Sequence, residues 1–362
     1  MRLALDPSDP LSPALLSAFG FQIDAFLSSQ AALVAEVGAG PLLELAHTFT
    51  GSGKRVRPAF AYWGHVAAAG PDTPQGLIQA AASLDLLHVS ALVHDDIIDA
   101  SETRRGLPAA HRQLAGVAAA DGPAGERFGQ AAAILLGDLL VMWSVEMFER
   151  AALAPEAIAR AQPHLWAMRS EVTCGQYLDL AAAYSAAGAD TDQQERDVSR
   201  RVLEYKSASY SVRRPAQLGA ALGGADPALI EALGSFGSGI GRAFQLRDDI
   251  LGVFGDPEIT GKPAGDDLRE GKRTFLVLTA MAQGTASQRE ALAAMLGNPE
   301  LAEPDVDRAR AIITETGCLA TIENMIDQES AVALATLDAS SATAQGRRAL
   351  TRLAELSTNR QR

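Results

Sequence analysis

Three aspartates, Asp95, Asp96 and Asp99, close the apolar run of "LLHVSALVHDDIIDA". On a helix, positions 95 and 99 lie one turn apart on a shared face, with 96 on its flank. Carboxylates leaning towards one point repel one another, and the negative end of the helix dipole adds to the cost. Either they splay into solvent as an ordinary acidic helix end, or a cation compensates them. Hard oxygen donors suit Mg²⁺, which keeps several waters and is held by one or two carboxylates together with substrate phosphates. The apolar run before the cluster puts it at the mouth of something buried.

"GRAFQLRDDILGVFGD" repeats the device. Asp248 and Asp249 follow an apolar helical stretch, Asp256 comes one loop later, and Asp266 and Asp267 lie in the next loop. Two such helix ends in one helical protein would face each other across a cavity and hold two or more metal ions against one polyanion. Basic residues sit at the same landmarks. Lys54, Arg55 and Arg57 lie in a glycine loop, Arg104 and Arg105 follow the first cluster, Lys206 is in "EYKSASYS", and Lys262 and Lys272 flank the last aspartates. Arginine grips phosphate oxygens with a planar fork and lysine adds a mobile point charge. Each alone reads as a surface charge; together with the aspartates they describe a bipolar diphosphate site.

The elements that must position these groups read as helices. Hydrophobic residues make up 48% of the 362 and aromatics only 5%, and the abundance of Ala and Leu favours helix over sheet. Apolar residues at helical spacing run over 14–47, from Pro58, up to about residue 100, and then over 156–184, 194–223 and 227–254. "SETRRGLPAAH" reads as a loop, and no strand-like alternation of useful length appears. One all-α domain, residues 1–362, with functional loops at helix ends is the simplest account. The net charge of −13 argues against nucleic acid or an anionic membrane as partner. Cys174 and Cys318 stand apart without a metal-ligand pattern and read as reduced cysteines of a cytoplasmic protein. The acidic, proline-containing start is not a signal peptide, and Asp138 interrupts "AAAILLGDLLVMW", the most apolar segment, short of a membrane span.

Taken in order, "GKRVRP", "LLHVSALVHDDIID" with "TRRGLP", "GDLL", "GQYLDL", "YKSASYS" and "FQLRDDILGVFGD" with "GKPAGDDLREGKRT" resemble the trans-type polyprenyl diphosphate synthases. This is the farnesyl and geranylgeranyl diphosphate synthase family, and the resemblance is strongest over residues 45–280. It implies an isoprenoid-synthase-type helical bundle around a central cavity, three Mg²⁺ ions per active site and a homodimer. The implied reaction joins isopentenyl diphosphate to an allylic diphosphate by ionisation, condensation and elimination. In this resemblance Asp95 and Asp99 hold Mg²⁺ with Asp96 in support; Asp248 holds a further ion, supported by Asp249 and, through waters, by Asp267. Arg104, Lys206, Lys262 and Lys272 match the grip on the allylic diphosphate. Lys54, Arg57, His88 and Arg105 match the isopentenyl diphosphate pocket, and Ser207 and Gln245 the polar positions near the developing cation. Arg104 and Arg105 are expected to serve two different diphosphates rather than to compensate the aspartates. His94 is expected to pack rather than to act as a base.

Three positions depart from the family pattern. Gly252 stands where the second motif has its last aspartate, so metal binding there rests on fewer carboxylates. Ser207 replaces the usual threonine and keeps the hydroxyl. Asp267 is preferred to its neighbour Asp266 because its spacing to Lys272 matches the family. Chain length is expected to be set on the apolar helix before the first motif. Small Ser90 and Ala91 leave room beyond a fifteen-carbon tail, with Leu87, Leu86 and Leu84 as a floor. Seven residues of helix span about 10 Å, which fits a geranylgeranyl product, and residues around Cys174, Gln176 and Tyr177 are expected to intrude from a later helix. A farnesyl or longer-chain product is the alternative. A terpene cyclase would not need "GKRVRP" or the paired arginines, and a non-catalytic helical partner subunit would have lost aspartates from the first cluster.

Overall fold

Proline, aspartate and threonine mark where several of the helices begin. In the computed structural model, which describes residues 5–118, 121–185, 192–255, 265–298 and 300–359, Pro13 opens α1 (Pro13–Glu36). Asp226 caps α10 (Pro227–Phe254) by accepting from the Leu229 N–H at 2.8 Å. Thr274 caps α12 (Phe275–Gln283), and Thr285 with Gln288 forms a reciprocal capping box at α13 (Ala286–Met295). The other helices are α2 (Gly40–Thr50), α3 (Val56–Ala69), α4 (Leu77–Ile98), α5 (Ala110–Ala115), α6 (Pro123–Glu149), α7 (Pro155–Ser185), α8 (Asp192–Val202), α9 (Arg214–Leu222), α11 (Asp266–Arg269), α14 (Glu303–Glu315), α15 (Cys318–Ala339) and α16 (Ala344–Thr358). A π-helix, Leu203–Arg213, joins α8 to α9.

The all-α expectation holds, with local differences. The stretch read as helical over 14–47 is two helices, because Gly38 adopts a left-handed φ of 74° and turns the chain. The loop after the first aspartates contains a short antiparallel hairpin, β1 (Thr103–Arg104) against β2 (Leu107–Pro108). Asp138 breaks the apolar run of its segment but not the helix, and α6 runs through it. Both α4 and α6 are long and apolar enough to cross a membrane by length and composition, and their most apolar windows are 67% and 50% buried.

The chain forms two compact units, each discontinuous in sequence. Unit 1 comprises Met1–Ala161, Gly219–Gly224 and Thr343–Leu350. Its centre is α4, packed against α6, α3 and α1. Leu84, Leu86 and Ala80 to Ala82 are fully buried there. Unit 2 comprises Gln162–Leu218, Ala225–Ala342 and Thr351–Arg362. In it α10 packs against the π-helix and α15, over a core that includes Leu246, Leu276, Ile313 and Ile322.

The core of unit 1 includes a buried histidine. His65 of α3 is buried, neither ring nitrogen has a hydrogen-bond partner, and burial pushes its pKa down to about 4. The unfolded chain takes up this proton at about pH 6.5 and the folded chain only near 4, so stability falls as pH drops through that window. The lost contribution is at most about 3 kcal/mol. Urea unfolding followed from pH 7 to pH 4 should show the protein losing more stability than its His65→Leu variant by about that amount. Parallel curves would mean that His65 does not titrate as a buried neutral group.

Candidate active site

The first acidic motif sits at a helix end with defined geometry. Helix α4 stops at Asp99, Ala100 takes a left-handed φ of 52°, the Ser101 N–H bonds the Asp96 carbonyl at 2.9 Å and the Ala100 N–H bonds that of Ile97 at 3.3 Å. This is a Schellman ending built on alanine instead of glycine. It leaves Asp95 and Asp99 partly exposed on the last turn, while Asp96 is turned into the protein and buried.

Asp96 is not left uncompensated. The guanidinium of Arg104 donates to its Oδ1 from Nε at 2.7 Å and also from Nη2. The expectation that neither arginine compensates the aspartates is therefore corrected for Arg104. Burying a carboxylate without a partner costs several kcal/mol, and Arg104 is the cation within reach. Burial raises the pKa of Asp96, while Arg104 opposes that rise.

The hairpin explains how adjacent arginines part company. Arg105 and Gly106 form its turn with φ of 55° and 77°, the two-residue geometry that suits a tight antiparallel hairpin. Arg104 is sent back to α4, and Arg105 to the glycine loop. Nη1 of Arg105 donates to the Ser52 carbonyl at 2.6 Å and the Phe49 carbonyl at 3.2 Å, and Nη2 lies 3.4 Å from Nε2 of His88. Gly53, at φ 132°, admits this guanidinium: a β-carbon there would lie 3.2 Å from Nη1. Burial first, then Arg57, Arg105, Arg104 and Arg55, push the His88 pKa well below its usual value, so the ring is neutral. Within unit 1 the fold thus brings Arg57, His88 and Arg105 together, with Lys54 exposed on the adjoining loop. His94 lies over Gly137 of the "GDLL" motif, where a β-carbon would stand 2.1 Å from Nε2, and the ring reaches the Ile134 carbonyl at 3.2 Å. Ser90 and Leu87 are buried and Ala91 is half-buried, one turn before Asp95 on its face.

Sequence reasoning missed the support under this basic group. Arg55, left-handed at φ 50° and buried, is ion-paired to buried Asp85 of α4 and donates to the Thr50 carbonyl. Asp85 precedes His88 by one turn, so one helix face holds both the pocket imidazole and the anchor of the opposite loop. A lone aspartate in the apolar string "SLDLLH" was the available signal.

In unit 2 the groups lie on α7, the π-helix, α10 and the segment after it. Lys206 pairs with Asp179 at 2.6 Å, and Gln245 donates to Asp249 at 2.9 Å. Asp248 is exposed and Asp249 buried. Burial, Asp267, Asp248 and Asp179 hold the Asp249 carboxyl well above the usual carboxylate range, against the opposing hydrogen bond from Gln245. A bound divalent cation would reverse that balance. Ser207 is half-buried beside Lys206, and Lys272 pairs with Glu270. Lys262 and Asp256 lie outside the described residues, as does the side chain of Asp266. The π-helix that carries Lys206 and Ser207 is hemmed in by glycines. A β-carbon on Gly175, Gly237 or Gly241 would come within 2.4, 2.4 and 2.5 Å of its backbone at Lys206, Arg213 and Ala208 respectively. Wide helical turns of this kind are frequent at functional sites.

Among the described residues no three His, Cys, Asp or Glu side chains converge closely enough to cage a cation unaided. An all-carboxylate donor set of this openness suits a hard cation that shares its shell with water and a polyanion. The Asp85–Arg55 pair gives a direct test of the unit 1 scaffold. Asp85→Ala should cost about 3–5 kcal/mol by stranding a buried guanidinium, whereas Arg55→Met with Asp85→Leu should cost much less. Equal losses on chemical denaturation would refute the pair as the anchor.

Comparison with known proteins agrees with the chemistry. The geranylfarnesyl diphosphate synthase of Aeropyrum pernix is 32% identical over 276 residues, 75% of this chain and 79% of that protein. The geranylgeranyl diphosphate synthase of Methanosarcina mazei is 30% identical over 275 residues, 75% of each. A crystal structure of the Corynebacterium glutamicum geranylgeranyl pyrophosphate synthase, complexed with isoprenyl diphosphate and magnesium, superposes with a TM-score of 0.90 at 36% identity, covering 99% of this chain and all of that one. The polyprenyl synthetase family model matches residues 42–313. Motifs, fold and relatives converge, and the chain belongs to the polyprenyl synthetase family.

Proposed function

We propose that this chain elongates an allylic diphosphate with isopentenyl diphosphate and stops at the geranylgeranyl product. The observation that carries the length is the wall of α4: the residues one turn before Asp95, Ser90 and Ala91, are small, and the large buried Leu87, Leu86 and Leu84 come only further back. The names of the relatives, which include geranylgeranyl synthases, support the same length.

Asp95 and Asp99 in unit 1, and Asp248 with Asp249 and Asp267 in unit 2, would hold Mg²⁺, three ions in all. When bound, Mg²⁺ supplies Lewis-acid stabilisation of charge on the departing diphosphate. Asp96 takes no cation directly; it orients Arg104 through Nε and Nη2. Arg104, Lys206, Lys262 and Lys272 add positive charge to the allylic diphosphate where negative charge develops. Lys54, Arg57, His88 and Arg105 bind isopentenyl diphosphate, with His88 as a neutral hydrogen-bonding group. The Ser207 hydroxyl and the Gln245 side chain lie beside the allylic cation. The isopentenyl double bond attacks that cation, and a proton is lost to the departing diphosphate, so no protein nucleophile is required.

The protein acts as a cytoplasmic homodimer in this reading. Phe128, Leu135 and Met142 of α6 recur every seventh residue and are exposed, Leu135 by 61%. A stripe with this period suits the same stripe on a second copy. Leu135→Glu with Met142→Glu should shift the sedimentation coefficient to that of a monomer; a variant that still sediments as a dimer would place the interface elsewhere.

Incubation with Mg²⁺, isopentenyl diphosphate and each allylic starter should give a twenty-carbon product. A product that stops at farnesyl diphosphate would overturn the length assignment, and no elongation with any starter would overturn the enzymatic one. Ala91→Phe should shorten the main product, and an unchanged chain length would remove Ala91 from the wall.

A further inference from the structure

Position 252 lies four residues after Asp248 and three after Asp249 on α10, so it shares their face. It is a glycine whose φ lies outside the left-handed region, within a regular helix. Backbone geometry therefore does not explain the missing side chain. The space above it does. A β-carbon at 252 would stand 1.9 Å from Oδ2 and 2.7 Å from Cγ of Asp267, far inside any contact distance. The Asp267 carboxylate thus rests on the bare α-carbon of Gly252 and is buried. It lies close enough to raise the pKa of Asp249 together with Asp248. The Lys272 N–H bonds the Asp267 carbonyl at 2.9 Å, which ties the same short segment to a second site group.

We propose that Gly252 is a positioning residue: it is the socket that seats the Asp267 carboxylate on the face of Asp248 and Asp249, in the space a side chain at 252 would fill. The second acidic motif then keeps a third carboxylate, delivered from α11 rather than from α10. A side chain at 252 would push the Asp267 carboxylate off this seat. This inference rests on the assignment of a diphosphate-bound divalent cation to this face.

The test is binding of Mn²⁺, as a paramagnetic stand-in for Mg²⁺, to the full-length protein with inorganic diphosphate, followed by electron paramagnetic resonance. Gly252→Ala displaces only the tip of a short side chain, so its thermal unfolding midpoint should stay within a few degrees of wild type. Its Mn²⁺ affinity should nevertheless fall about tenfold, as that of Asp267→Asn should. The two effects should not add: the double variant should bind Mn²⁺ no more weakly than Asp267→Asn alone. Wild-type affinity in Gly252→Ala, or additive losses in the double variant, would overturn the socket while leaving the cation assignment intact. Wild-type protein that binds no Mn²⁺ with diphosphate would overturn both.

Discussion

A carboxylate near the C-terminal end of a helix is opposed twice, by its neighbours and by the unpaired carbonyls behind it. Both acidic motifs of this protein accept that opposition, and the rest of each site manages it. In unit 1 the helix ends abruptly at Asp99, with two of its last carbonyls satisfied by Ala100 and Ser101. Asp96 withdraws and takes Arg104 as its counter-ion. Asp95 and Asp99 stay partly exposed on the last turn of α4. In unit 2 the relief is divided: Lys206 answers Asp179, Gln245 answers Asp249, and Asp248 remains exposed.

The arginines show how little chain is needed to separate two tasks. A two-residue turn reverses direction between Arg104 and Arg105, so neighbours in sequence serve α4 and the glycine loop. The loop is held from below by Asp85 through Arg55 and from above by Arg105 through the Phe49 and Ser52 carbonyls. His88 lies between them on α4. Desolvation first, and then the charge of the nearby arginines, push its pKa well below the usual value.

Much of this was legible in the sequence because it is periodic or chemically loud. Apolar residues at helical spacing gave the helices, and aspartates after apolar runs gave the two motifs. Contacts between backbones left no such trace. The β1–β2 hairpin is only two residues a side, below the length at which alternation can be read. The division between α1 and α2 turned on Gly38 within an otherwise helical pattern. Asp85 sat among leucines, and its partner lies 30 residues earlier, so spacing could not join them. The discontinuous units are equally silent, since periodicity is local and their segments are not. Gly252 read as a lost ligand because a sequence records which atoms are missing and not what moves into their place.

The π-helix carries a consequence of another kind. Its wider turn holds more residues than an α-turn, and Gly175, Gly237 and Gly241 press against its backbone from two helices. Removing one residue from 203–213 would let the stretch relax to α geometry and rotate one side against the other by about 100°. Lys206 would then leave Asp179, with every side chain still present. The segment behaves as a reading frame: its chemistry depends on the number of residues it contains as much as on their identity, so substitution is milder there than deletion.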